Sequence, residues 1–153
     1  MKNPAATRLQ LDAHRTTLAA DPAPEVVLPL GPSDIADGLF HHDPPTPLEM
    51  EQAIDVVEDA LTGSRLQHAE RGELVTTEAL LQAWMGAAGP RGDDARLSRD
   101  EVEAIFQRLA SASLGDPRAL AGLPVGRDAA AALLIVRECM HHLGFRGIRL
   151  GAK

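Results

Sequence analysis

From Leu97 to Leu150 the chain reads LSRDEVEAIFQRLASASLGDPRALAGLPVGRDAAAALLIVRECMHHLGFRGIRL, and this stretch does most to limit the fold. Ser98 and Glu101 stand three residues apart, just before the apolar series Val102, Ile105, Phe106 and Leu109. That spacing predicts a capping box opening an amphipathic helix. Gly115-Asp116-Pro117 and Gly122-Leu123-Pro124 then break the chain twice. A second helix, with an alanine-rich start that allows close packing, is predicted from about Arg127 to Leu143. It stops at Gly144, where the absence of a Cβ allows a left-handed cap, and Phe145 to Leu150 follows as a short strand.

The remainder of the chain predicts a sheet to receive these elements. Thr7 to Ala13, Arg15 to Ala20 and Glu25 to Leu30 read as three short strands, the first alternating as TRLQLDA. Asp21-Pro22-Ala23-Pro24 cannot continue a ladder, because proline has no amide hydrogen, so it connects the second strand to the third in a meander. Ser33 is placed to cap a short helix through Phe40, which the prolines of HHDPPTP end. Thr46, Pro47 and Glu49 then form the start of a helix from about Pro47 to Leu61, its stripe made by Met50, Ile54, Val57, Ala60 and Leu61. A fourth strand around Glu73 to Val75 leads to a helix carrying Leu80, Leu81, Trp84 and Met85, capped by Thr77 and closed by Gly86. With the strand at Phe145 this makes a mixed five-stranded sheet with flanking helices. An antiparallel opening followed by crossovers is the α/β, ribonuclease-H-like or actin-like order.

A chain of 153 residues buries roughly 68 to 70% of its unfolded surface, enough for one domain spanning residues 1–153. Residues 1–6 are expected to be disordered and 86–96, rich in glycine and charge, to be a mobile loop. The lone Cys139 allows no internal disulfide, which suits a reducing cytoplasm. The first twenty residues lack the apolar core of a signal peptide, and no apolar run nears a membrane span. Twenty-two acidic against fifteen basic residues give a formal charge of -7, opposing non-specific contact with nucleic acid or anionic membrane. Three Phe, one Trp and no Tyr leave little for base stacking.

Four segments, in order, carry a family resemblance: VLPLGPSDI at Val27 to Ile35, HDPPTPLEM at His42 to Met50, LSRDEVEAIFQRLASASL from Leu97, and LAGLPVGRD with ALLIVRECMHHLGFRGIRL after it. Together they resemble the second, C-terminal ribonuclease-H-like domain of the Ppx/GppA exopolyphosphatase/guanosine pentaphosphate phosphohydrolase family, a member of the actin-like ATPase superfamily. The matching segments are scaffold, so they imply fold and ancestry rather than chemistry.

The departures from the family pattern fall on its chemistry. Where the family has a glycine-rich phosphate loop this chain reads LDAHRTTLAA, so Asp12 matches an aspartate while Ala13, His14 and Arg15 replace glycines. Backbone amides that hold oxyanions need conformations and close approach that favour glycine. ELVTTEALL stands where the resemblance places a second glycine cluster. The family's first domain and its final loop and helix have no counterpart, so the expected half domain lacks a covering helix and leaves a partly apolar sheet face for a protein partner or a second copy.

Asp12, His14, Arg15, Thr16 and Thr17 are the candidates for a residual phosphate site that would take polyphosphate or a guanosine polyphosphate. No residue is assigned a catalytic role. No metal site is expected, because neighbouring residues on a helix point about 100° apart, so His41-His42 and His141-His142 cannot chelate as units. The favoured reading is a stand-alone, degenerate, non-catalytic interaction or regulatory module, a pseudoenzyme without cofactor. The alternative is half of a split exopolyphosphatase that hydrolyses phosphoanhydride bonds beside a partner domain and uses magnesium.

Overall fold

Only Ala13 and His14 separate β1 (Thr7–Asp12) from β2 (Arg15–Ala19), so the two strands close a tight antiparallel hairpin with Asp12 opposite Arg15. A computed structural model describes residues 6–87 and 95–151. After β3 (Val26–Leu28) come α1 (Pro32–Gly38), α2 (Pro47–Gly63), β4 (Arg71–Thr76), α3 (Ala79–Ala87), β5 (Arg96–Ser98), α4 (Arg99–Ser113), a 3-10 turn at Pro117–Leu120, α5 (Arg127–Leu143) and β6 (Phe145–Leu150).

The sheet order is β3-β2-β1-β4-β6-β5. β1 pairs parallel with β4, and β4 parallel with β6, as helical crossovers require. β5 adds an antiparallel edge, with Leu97 opposite Ile148. The sheet therefore has six strands rather than the expected five. The sixth lies at Arg96–Ser98, so the segment expected as a loop from 86 to 96 ends in a strand, and α3 continues past Gly86 to Ala87. The rest of that expected loop, 88–94, and residues 1–5 of the expected disordered start lie outside the described residues.

Alternation gives the sheet two unlike faces. Leu9, Leu18, Leu28, Leu74, Leu97 and Ile148 turn to the helices and are all buried. Helix α5 lies at the centre, touching α1, α2, α3, α4 and β6. Consistent with that position it is buried nearly all round, with Ala129, Ala130, Ala131 and Ala132 at most 5% exposed. Four small side chains in succession let the neighbouring helices approach. Trp84 closes this contact, its Nε1–H donating to the Ala129 carbonyl at 2.7 Å.

On the opposite face the register aligns Arg8, Gln10, Asp12, Arg15, Thr17, Glu73, Arg96 and Arg149, with Val27 and Val75 among them. Glu73 lies 3.8 Å from both Arg96 and Arg149. This face is predominantly polar, with Val27 45% exposed among its apolar members. Alternation places the polar residues Arg8, Gln10 and Asp12 on every second position of β1, which water can hydrate. Among the described residues no helix is long and apolar enough to cross a membrane.

Local signals account for most boundaries. Thr46 Oγ1 accepts the Glu49 amide while the Glu49 carboxylate accepts the Thr46 amide, and Ser98 with Glu101 repeats the pattern on α4. Gly144 takes φ 89°, the left-handed cap that ends α5. Two starts differ from the reading above. Gly31 rather than Ser33 is the N-cap of α1, because Pro32 occupies the first helical position and Asp34 caps the Gly31 amide. Before α3, Thr76 Oγ1 rather than Thr77 accepts a backbone amide, that of Glu78 at 3.1 Å.

Candidate functional site

The β1–β2 turn and the start of α1 meet at the position where the sequence suggests a residual phosphate site. Gly31 makes the meeting possible, since a Cβ there would stand 2.2 Å from the Asp12 carbonyl oxygen and 2.5 Å from that of Ala13. The Ser33 amide donates to the Ala13 carbonyl at 2.9 Å, fixing the turn against the helix. The Asp34 carboxylate then fills the junction: one oxygen accepts the Gly31 amide at 2.8 Å and the other lies 2.9 Å from His14 Nδ1. Burial opposes ionisation of Asp34, but the Gly31 amide and His14 outweigh it and hold its carboxyl below the usual range.

The five candidates do not converge on one point. Asp12 and Arg15 face each other across the hairpin with 3.4 Å between Oδ2 and Nη2, both well exposed. Thr16 is fully buried, and its hydroxyl donates to the Leu30 carbonyl at 2.8 Å. Thr17 is 9% exposed, opposite Val27 in the ladder. His14, Arg15 and Asp12 thus share the exposed tip, while the two threonines serve the sheet.

A similar arrangement follows β4, where the resemblance would put the second glycine cluster. Glu78 Oε1 accepts the Leu11 amide at 3.1 Å, and the Thr77 carbonyl accepts from Gln82 Nε2 at 3.0 Å. At both places a carboxylate of the chain itself occupies a backbone amide. An oxyanion would find a fixed negative charge beside it rather than a row of free N–H donors.

His41 and His42 lie between α1 and α2, outside any helix, which corrects the helical spacing expected for that pair, whereas His141 and His142 are on α5. The His41 amide and His42 Nδ1 both reach Glu49 Oε2, at 2.9 and 3.0 Å, making a knot under the start of α2. Burial raises the Glu49 carboxyl, but the amides of Thr46 and His41 and the His42 ring bring it down to about 2. The His141 and His142 rings sit edge to face, 5.5 Å between centroids. Cys139 is fully buried and burial pushes its thiol up to about 12, far from a nucleophile's range.

No known family's sequence pattern matches this chain, and no curated protein matches it in sequence. Solved structures do match in shape. The Aquifex aeolicus Ppx/GppA enzyme superposes with TM-score 0.71 at 12% identity, over 98% of this chain and 54% of that one. An exopolyphosphatase-like protein gives 0.68 at 13% identity, over 97% and 55%. An exopolyphosphatase from Cytophaga hutchinsonii gives 0.62 at 12% identity, over 99% and 54%. The chain spans about half the length of these proteins, and its fold is the ribonuclease-H-like, actin-like fold found in the Ppx/GppA structures.

Proposed function

We propose that this chain is a degenerate counterpart of the second Ppx/GppA domain that does not hydrolyse phosphoanhydride bonds and acts in the cytoplasm by contact with a protein or a second copy. The observation that carries this reading is the Asp34 carboxylate, set between His14 and the Gly31 amide where an oxyanion would have to bind. Phosphoryl transfer depends on positioned donors and metal that neutralise developing charge. A magnesium-bound phosphate does not fit this junction, because Asp34 is committed to its two partners and Asp12 faces Arg15. A formal charge of -7 adds long-range repulsion to that local one.

Contact is then the role left to the fold, and the polar face around Arg8, Glu73, Arg96 and Arg149 suits a hydrated interface of mixed charge better than an apolar one. Titrating the chain with inorganic tripolyphosphate tests the first half of the reading, with amide resonances of residues 12–17 as the readout. The expected result is no saturable shift. Saturable shifts centred on His14 and Arg15 and lost in Arg15→Ala would establish the residual phosphate site instead. Sedimentation of the chain alone and with a full-length exopolyphosphatase tests the second half. A dimer or a complex is expected, and a monomer in both runs overturns it.

A further inference from the structure

Glu58 on α2 and the pair Glu138 and His142 on α5 come together although eighty residues separate the first from the second. Glu138 and His142 are four apart, so they share one face of α5, and that face packs on α2. One oxygen of each carboxylate and one ring nitrogen of His142 all lie within 4.8 Å of one another. His142 Nε2 and Glu58 Oε1 are 3.2 Å apart.

Two features of this cluster lack an explanation in ordinary packing. His142 Nε2 is itself shielded from solvent and makes no hydrogen bond among the described residues, although its ring is 36% exposed; the approach to Glu58 has the distance of an ion pair without hydrogen-bond geometry. Glu138 is 1% exposed, yet among the described residues the hydrogen bonds it accepts are long ones, 3.3 and 3.4 Å, from Arg137 Nη1. Arg137 is turned mainly to Glu103, at 2.9 and 3.2 Å, and stacks on Phe106. A buried carboxylate compensated only by these long bonds is costly, and a second cation beside Arg137 would lower that cost.

We propose that Glu58, Glu138 and His142 form a binding site for a divalent transition-metal ion of the zinc class, clipping α2 to α5. Bonds of roughly 2.1 Å in a tetrahedral site put ligand atoms about 3.4 Å apart. The His142–Glu58 edge already has this length, and the remaining edges need to shorten by no more than about 1.4 Å, within the reach of side-chain rotation. Imidazole nitrogen with two carboxylates suits zinc, cobalt or manganese better than calcium or magnesium, which prefer oxygen alone. Three protein ligands leave a fourth position for water. This inference stands apart from the proposed function, since it involves none of the hairpin residues.

Equilibrium dialysis of the full chain against zinc, followed by metal analysis, provides the test, with cobalt as the spectroscopic probe. The expected result is one ion per chain and a cobalt absorption band of tetrahedral intensity. His142→Ala and Glu58→Gln should each weaken zinc binding by at least ~10-fold and remove the cobalt band. His141→Ala, which changes the exposed neighbour, should leave both as they are. Glu58 lies at the rim, so Glu58→Gln reports on the site even if replacing the buried Glu138 prevents folding. No stoichiometric zinc, or zinc binding that survives both His142→Ala and Glu58→Gln, overturns the proposal and leaves the cluster as a packing contact between α2 and α5.

Discussion

Gly144→Ala probes the junction at which α5 turns into β6. Gly144 has φ 89°, a left-handed conformation that costs an L-residue with a Cβ roughly 1–2 kcal/mol. Its added methyl would also stand 2.0 Å from the Ala69 carbonyl oxygen, closer than any real contact. Ala69 cannot simply withdraw. Its amide donates to the Leu143 carbonyl at 3.3 Å, the Arg71 amide to the Gly144 carbonyl at 3.0 Å, and Arg71 Nε to the Leu143 carbonyl at 2.8 Å. Opening a gap of an ångström sacrifices about two of these bonds, at ~1 kcal/mol each. The loss then comes to about 3–4 kcal/mol, or roughly 10 °C in Tm for a chain of this size.

Gly122→Ala separates the two contributions, because Gly122 has φ 76° but nothing within 4 Å of the added methyl. It should cost only the backbone share, roughly 1–2 kcal/mol. Urea unfolding followed by circular dichroism measures both variants. A Gly144→Ala loss no larger than that of Gly122→Ala would refute the argument that the 69–71 segment is fixed against the end of α5.

Glu49 and Cys139 give two further outcomes. The Glu49 carboxyl titrates at about 2 in the folded chain against 4.5 for the free group, so its contribution to stability is present above about pH 4.5 and disappears as pH falls towards 2. The unfolding midpoints of the wild type and Glu49→Gln should accordingly differ most near neutral pH and converge only as pH falls to about 2; a gap that does not depend on pH would show that the knot with His41 and His42 is not ionic. Cys139, fully buried with its thiol near 12, should resist a thiol reagent in the native chain and react once urea unfolds it. Rapid labelling without denaturant would mean that α5 opens locally.

The sequence carried the helices better than the sheet edges. Capping boxes at Thr46 and Ser98 and the stop at Gly144 are local chemistry, decided within four residues, and the structure has them in place. β5 was not legible for two reasons. It has only three residues, and the partner that makes it a strand, β6, lies about fifty positions on. The start of α1 was misplaced because Ser33 is a good cap by type, whereas Pro32 and Asp34 together select Gly31. At the hairpin the five candidates could be read as a group, but not that Thr16 would turn inward to Leu30 or that Asp34 would reach back to His14. The cluster on α2 and α5 was not read from the sequence, where no metal site was expected, although Glu138 and His142 stand at helical spacing. Glu58 joins only through packing of the two helices.

Phosphate release from long-chain polyphosphate and from guanosine pentaphosphate, with magnesium and the purified chain alone, tests the central claim most directly. On the proposed reading, in which Asp34 takes the place of the anion between the Gly31 amide and His14, the chain should release no phosphate above a protein-free control. Release that scales with protein concentration and is abolished by Asp12→Ala or Arg15→Ala would contradict the account, and would show that the hairpin tip forms a working site without its glycines.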